Sequence, residues 1–330
     1  MESHDQLVRG ATEAGFSPEA YEKVARLLDL LAGLNSHPYL RGRLALKGGT
    51  ALNLFVFDVP RLSVDIDVNY VGAADLQTML EERPEVERAI EAVCSRLGLQ
   101  VRRAPSDHAG GKWRLSLTTA SGRPGTLELD VNFLLRTPLW TVANAESRQV
   151  GSLPVVRFPM LDAHELAAGK LAALFGRSAS RDLFDAVELL KVDGLDHRRM
   201  RLGFVVYGAA NRRDWRGVRV EDIQADVTEV DRQLRPMLRV GAVPARKELG
   251  PWVEKLVADA RSLVSRFLPL SANEYEFIER LNDAGEIRPD LLTSDAEMQQ
   301  LIASHPALLW KAKNVRDYQA RGKPRREDAT

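Results

Sequence analysis

The chain has 330 residues, 45% of them hydrophobic and 28% charged, which excludes a mainly disordered chain, a collagen-like fibre and a disulfide-stapled miniature. Its 46 basic and 46 acidic residues cancel, which argues against wholesale coating of nucleic acid but says nothing about a local basic patch. The lone cysteine, Cys94, has no internal partner, and no leader-like start or apolar run of the ~18–20 residues a bilayer needs is found, so a cytoplasmic protein without membrane spans is expected.

In chain order, Ser17-Pro18-Glu19-Ala20 marks a helix start: Ser17 can cap free N–H groups and Pro18 gives up an N–H that would be unpaired anyway. That helix is expected over 18–34. A short strand over 44–46 leads into Lys47-Gly48-Gly49-Thr50, followed by a short apolar helix over 51–57. A strand over 63–71, a helix over 84–97 and strands near 100–103, 113–118 and 126–134 follow. Cys94 lies on the amphipathic pattern of the helix over 84–97 and is expected as a small buried hydrophobe. Beyond Pro159 the pattern is nearly all helical. The expected organisation is an α/β domain over 1–158, a helical domain over 159–310 and a basic, frayed tail over 311–330.

The strand over 63–71 carries the sharpest signal. Side chains alternate along a strand, so Ser63, Asp65, Asp67 and Asn69 share one face while Val64, Ile66 and Val68 share the other. Two carboxylates at i and i+2 repel unless a cation lies between them, and such oxygen donors suit Mg²⁺ held together with substrate phosphates. A solvated strand face has the same pattern. The segment Leu127-Glu128-Leu129-Asp130-Val131-Asn132-Phe133 repeats the alternation, so Asp130 can supply a third acid if the two strands are neighbours. Three such acids suit two-metal phosphoryl transfer.

Lys47-Gly48-Gly49-Thr50 sits between a strand and a helix, where glycines let backbone N–H groups approach a phosphate and Thr50 adds a hydroxyl. Farther on, Lys170 and Arg177 are seven residues apart on one helix face, and Arg181 and Asp185 are four apart and can pair. Lysine meets a triphosphate as a point charge and arginine as a two-pronged clamp; a pair of surface salt bridges would use the same residues. Seven arginines, Arg198, Arg199, Arg201, Arg212, Arg213, Arg216 and Arg219, surround Trp215, which suits RNA phosphates with a stacked base and equally a solvated helix face. The six histidines have no metal-ligand spacing, and no Gly-x-Ser-x-Gly elbow supports a serine hydrolase.

The run Leu46-Lys47-Gly48-Gly49-Thr50-Ala51-Leu52-Asn53-Leu54, through Pro60-Arg61-Leu62-Ser63-Val64-Asp65-Ile66-Asp67, resembles the nucleotidyltransferase toxins of the AbiEii/AbiGii type, including their MenT branch. The resemblance extends to Leu129-Asp130-Val131-Asn132 and to the helical segment from His164 to Asp185, about residues 40–190 in all. It implies a polymerase-β-like nucleotidyltransferase domain with a mixed sheet, followed by a mostly helical domain. It further implies a toxin paired with an antitoxin encoded beside it, transferring a nucleoside monophosphate from an NTP with Mg²⁺, or Mn²⁺, to the 3′ end of tRNA. By resemblance, Asp65, Asp67 and Asp130 hold the metals. Lys47, Gly48, Gly49, Thr50, Ser63, Lys170, Arg177 and Arg181 meet the nucleotide, and Asp182 or Asp185 is the acid of the last motif. A protein or small-molecule acceptor, or a catalytically silent binding module, are the competing readings.

Overall fold

A computed structural model of the chain describes residues 3–103 and 110–321. Two helices open it, α1 (His4–Ala14) and α2 (Pro18–Ser36). Ser17 caps α2 by accepting the Ala20 N–H, and Tyr21, Val24, Leu28 and Leu31 recur at helical spacing on its buried face. Next come β1 (Leu44–Lys47), α3 (Gly48–Ala51) running into a π-helical turn over Leu52–Val56, β2 (Asp65–Tyr70) and α4 (Leu76–Arg96). The strands β3 (Gln100–Arg103), β4 (Gly110–Thr118), β5 (Pro124–Asn132), β6 (Ala143–Glu146) and β7 (Arg157–Met160) complete the sheet.

The seven strands run in the order β3-β4-β5-β2-β1-β7-β6. β1 pairs with β7 and β2 with β5 in parallel, while the other neighbours are antiparallel, so the sheet is mixed as expected. Eight α-helices follow among the described residues: α5 (Ala163–Arg177), α6 (Ser180–Leu190), α7 (His197–Ala210), the single turn α8 (Val227–Glu229), α9 (Leu249–Val264), α10 (Ala272–Glu279), α11 (Ala296–Ala303) and α12 (Pro306–Ala320). One buried apolar cluster runs from Leu7 to Ala312 and joins the sheet to these helices. Ile66, Val68, Leu129 and Val131 enter it from one face of β2 and β5, and Cys94 is buried in it, its thiol pushed up to about 12 by burial.

Three expectations need correction. The helix expected from 84 starts at Leu76, because Asp75 caps it through the Thr78 N–H and packing of Val86, Ile90 and Val93 carries it across Pro84. The sheet does not stop at 158: Pro159 lies inside β7, opposite Asn144 of β6. The segment from Lys311, read as a frayed tail, instead continues α12 to Ala320. Lys311 Nζ donates to the carbonyls of Ala209 and Asn211 at 2.6 and 2.8 Å, which fastens α12 to the C-terminal end of α7. The rest of that segment, 322–330, lies outside the described residues.

Candidate active site

The two acidic strands are neighbours. In the parallel β2–β5 ladder Asp65 stands opposite Glu128, Asp67 opposite Asp130 and Asn69 opposite Asn132. Paired residues of adjacent strands share a face, so one polar face carries all of these side chains. Basic residues flank the row in register: Lys47 of β1 opposite Asp67, and Lys112 and Arg114 of β4 opposite Asp130 and Glu128. Read across β4-β5-β2-β1, one line of the sheet is Lys112, Asp130, Asp67, Lys47.

This face forms one wall of a cleft of about 310 Å³; Arg61, Lys170, Arg177 and Arg181 line it too. Burial pushes the Asp65 carboxyl up and the charges of Asp67 and Glu128 add to that, while Arg181, with Nη1 3.4 Å from Asp65 Oδ2, opposes it. Asp130 is pushed up the same way, by burial first and then by Asp67 and Glu128, against Lys47 and Lys112. Glu128 is held below the usual range, chiefly by its 2.7 Å contact with Lys112 Nζ. Asp65, Asp67 and Asp130 thus form a crowded anionic surface that its flanking cations do not fully compensate.

The glycines are placed by close approach. Gly48 has φ +73, and a Cβ there would lie 2.5 Å from Asp67 Oδ2. A Cβ on Gly49 would lie 2.9 Å from both Arg61 Nη2 and Ser63 Oγ. Ser63 and Gly49 line the charged cleft, whereas Lys47 and Gly48 line a second cavity beside it. Thr50 departs from the expectation of a hydroxyl offered to an anion: it is fully buried and its Oγ1 donates to the Asp65 carbonyl at 2.5 Å, tying the loop to the start of β2.

The helical residues form a charge network. Lys170 Nζ is 2.8 Å from Asp182 Oδ1 and 2.9 Å from Asp185 Oδ2. Arg177 grips Asp182 from the rim of the cleft, through Nε at 2.5 Å and Nη2 at 2.9 Å. The i,i+4 pair expected between Arg181 and Asp185 does not form: Arg181 turns to Asp65, and Asp185 is taken by Arg61. Burial works against ionisation of Asp182 and Asp185, but the surrounding cations outweigh it and hold both carboxyls below the usual range. The two acids differ in place, since Asp182 lines the cleft and Asp185 is not among its lining residues. Arg61 has no role from sequence alone; its burial and its pairing with Asp185 come from the fold. Lys112 and Glu128 were also unassigned, and only the strand pairing reveals them.

The arginine-rich stretch is largely structural. Trp215 is fully buried, edge-on to Phe175 and tilted against Phe204, so it is no stacking platform. Arg201 is clamped by Glu274, Arg213 by Asp222, and Arg216 by Asp214 and Asp283. Arg198, Arg199, Arg212 and Arg219 are exposed.

The donor chemistry of the carboxylate row suits a hard divalent cation, since it offers oxygen ligands under mutual repulsion. Among the described residues, no group of three or more His, Cys, Asp or Glu is arranged to hold a metal ion by itself. The row therefore fits a cation shared with substrate phosphate oxygens, the usual way in which Mg²⁺ is bound by one or two carboxylates.

The family model of the nucleotidyl transferase AbiEii toxin, type IV toxin–antitoxin system, matches residues 29–260. Among solved structures, MenT4, a nucleotidyltransferase toxin from Mycobacterium tuberculosis H37Rv, has the same fold at 20% identity and a TM-score of 0.61, over 94% of this chain and 99% of that one. No curated protein matches.

Proposed function

The chain belongs to the AbiEii family of nucleotidyltransferase toxins, and from that membership we propose a transfer of nucleoside monophosphate from an NTP to the 3′ end of tRNA, with release of pyrophosphate. The observation that carries the reading is the carboxylate row of Asp65, Asp67 and Asp130 facing a cleft that Lys170, Arg177 and Arg181 also line. Asp65 and Asp67 would hold Mg²⁺ or Mn²⁺ together with the triphosphate; such an ion, when bound, supplies charge neutralisation and Lewis-acid polarisation at the phosphorus.

The remaining roles fall to the chain itself. Two of the three Lys170 N–H donors are committed to Asp182 and Asp185, which leaves one for a phosphate oxygen. Arg177 and Arg181 stand at the rim, where planar guanidinium groups can clamp further oxygens. Ser63 and Gly49 line the cleft where the phosphates would lie, and the absence of side chains at Gly48 and Gly49 lets Asp67, Arg61 and Ser63 close in on that loop. An Asp130 carboxylate oxygen accepts the proton of the attacking acceptor hydroxyl, a task favoured by a carboxyl pushed up by burial. Asp182 and Asp185 position Lys170, and Lys47 balances the charge of Asp67 from the adjoining strand.

The proposed partners are the NTP, tRNA and an antitoxin encoded beside the toxin. Among the described residues no helix is long and apolar enough to cross a membrane. The test is incubation of the purified chain with each α-labelled NTP, Mg²⁺, total tRNA and total protein. Label at the 3′ end of tRNA is the expected result. Label on protein, or none anywhere, overturns the tRNA reading.

A further inference from the structure

The charged cleft has two basic banks, built by different parts of the fold. Lys170 and Arg177 of α5 and Arg181 of α6 line one, and Lys112 of β4 lines the other. A triphosphate accounts for the helical bank. Nucleotidyl transfer brings two polyanions together, and the acceptor strand needs cations of its own.

Strand pairing shows how far the sheet bank reaches, because residues paired across strands share a face. The line that starts at Asp65 runs outward through Glu128 of β5 and Arg114 of β4 to Arg102 of β3, the edge strand. The adjacent line places Lys112 beside Asp130. On the far side of the arginines the next line holds Gln100, Ser116 and Thr126, polar but uncharged. The opposite face of these strands is closed, since Trp113, Leu115 and Leu127 are buried in the core. Arg102, Lys112 and Arg114 are exposed.

Three cations here meet one acid. Glu128 takes Lys112 Nζ at 2.7 Å and Arg114 Nη2 at 3.2 Å, while Arg102 has no ion-pair partner among the described residues. Arg102 and Arg114 stand directly opposite each other, and like charges so placed weaken a sheet. An anion lying across the pair relieves that repulsion. At about 4.8 Å per strand, the bank extends roughly 10 Å beyond β5, room for about two phosphates of a nucleic-acid strand. We infer that Arg102, Arg114 and Lys112 form the track of the acceptor RNA, holding the phosphates behind its 3′ end, while the NTP enters from the α5–α6 side. The inference rests on the nucleotidyl-transfer reading and adds the side from which each substrate arrives.

The test compares the full chain with Arg102→Gln/Arg114→Gln and with Arg198→Gln/Arg199→Gln, which removes two exposed arginines of α7 that do not line the cleft. Arg102→Gln alone, which breaks no ion pair among the described residues, serves if the double change lowers the thermal midpoint. Total tRNA and inorganic tripolyphosphate are titrated separately over a range of KCl at fixed Mg²⁺. The Arg102/Arg114 variant is expected to bind tRNA roughly tenfold or more weakly, with a log–log salt slope shallower by about 1.4, the value for two phosphates of a single strand; Arg102→Gln alone should lose about 0.7. Binding of tRNA by the α7 variant, and of tripolyphosphate by every variant, should stay within about twofold of wild type. Unchanged tRNA affinity and slope in the Arg102/Arg114 variant, or an equal loss in the α7 variant, would overturn the track and leave the transfer reading standing. A parallel loss of tripolyphosphate binding would assign these arginines to the NTP and overturn it too. A wild-type chain that binds tripolyphosphate but no tRNA would overturn the tRNA reading itself, and the track with it.

Discussion

Arg61 and Asp185, 124 positions apart in the chain, form a two-pronged buried pair: Nε to Oδ1 at 2.7 Å and Nη2 to Oδ2 at 2.6 Å, with side chains 3% and 0% exposed. The same carboxylate takes Lys170 Nζ at 2.9 Å and Asn53 Nδ2 at 2.9 Å. One acid of α6 thereby fixes the segment entering β2, the turn after the glycine loop, and the lysine of α5. Asp185 is a positioning residue, and its removal would strand the buried Arg61 and leave Lys170 with Asp182 alone.

Asp185→Ala should therefore lower stability by about 3–5 kcal/mol, the usual cost of leaving buried charge uncompensated. Denaturant unfolding measures it. An Ala variant within about 1 kcal/mol of wild type would show that the network relaxes freely. Asp182 and Asp185 both have depressed carboxyl values, so their stabilisation is complete above the ordinary carboxylate range and is lost as pH falls through their folded values.

Asp65 behaves in the opposite sense. Burial and like charge push its carboxyl up, so its ionised form weakens the fold at neutral pH, and that effect is relieved on acidification. Asp65→Asn is expected to fold at least as stably as wild type while losing transfer by roughly 100-fold or more. A folded Asn variant with normal transfer would remove Asp65 from the proposed metal site.

Gly48→Ala tests the close approach in the loop. The substitution puts a Cβ at φ +73 and within 2.5 Å of Asp67 Oδ2, so backbone strain of about 1–2 kcal/mol is joined by displacement of that carboxylate. Unfolding free energy and transfer rate should both fall. An active, fully stable Gly48→Ala would mean that Asp67 does not need its present position.

Glu165 governs a pH effect. Burial pushes its carboxyl up to about 7 from an ordinary 4.5, against the opposing hydrogen bonds from Tyr207, Leu139 and Trp140. Between those values the folded chain binds the proton more tightly than the unfolded one, so this group's contribution declines as pH rises from about 4.5 through 7, by up to ~3 kcal/mol. Glu165→Gln should flatten stability across that window. An unchanged pH slope in the variant would assign the effect to other groups.

The parts of this molecule that were legible in sequence are those with a local signature. Alternation in Ser63–Asn69 and Leu127–Phe133 identified both acidic strands and the face each acid takes, and Ser17-Pro18 located the start of α2. β6 (Ala-Asn-Ala-Glu) is almost wholly exposed and β7 carries Pro159, so neither has the apolar alternation that marks a strand, and the sheet seemed to end before Pro159. The partners of Asp185 and Arg181 were misread because i,i+4 spacing records only what a helix places next to itself, whereas Arg61 and Asp65 arrive from other elements. Trp215 was misread from its basic neighbours, whose charge says nothing about the aromatic cluster of Phe175 and Phe204 that encloses it.

The proposed reaction, nucleotidyl transfer to tRNA at the carboxylate row, requires Asp67. The most direct measurement is the initial rate of label transfer from α-labelled NTP to the 3′ end of tRNA with Mg²⁺, in wild type and in Asp67→Asn, with both shown to fold. Transfer by wild type and a loss of about 100-fold or more in Asp67→Asn is the expected result. Transfer at equal rates by both chains, or no labelling of tRNA by a folded wild-type chain with any of the four NTPs, would contradict it.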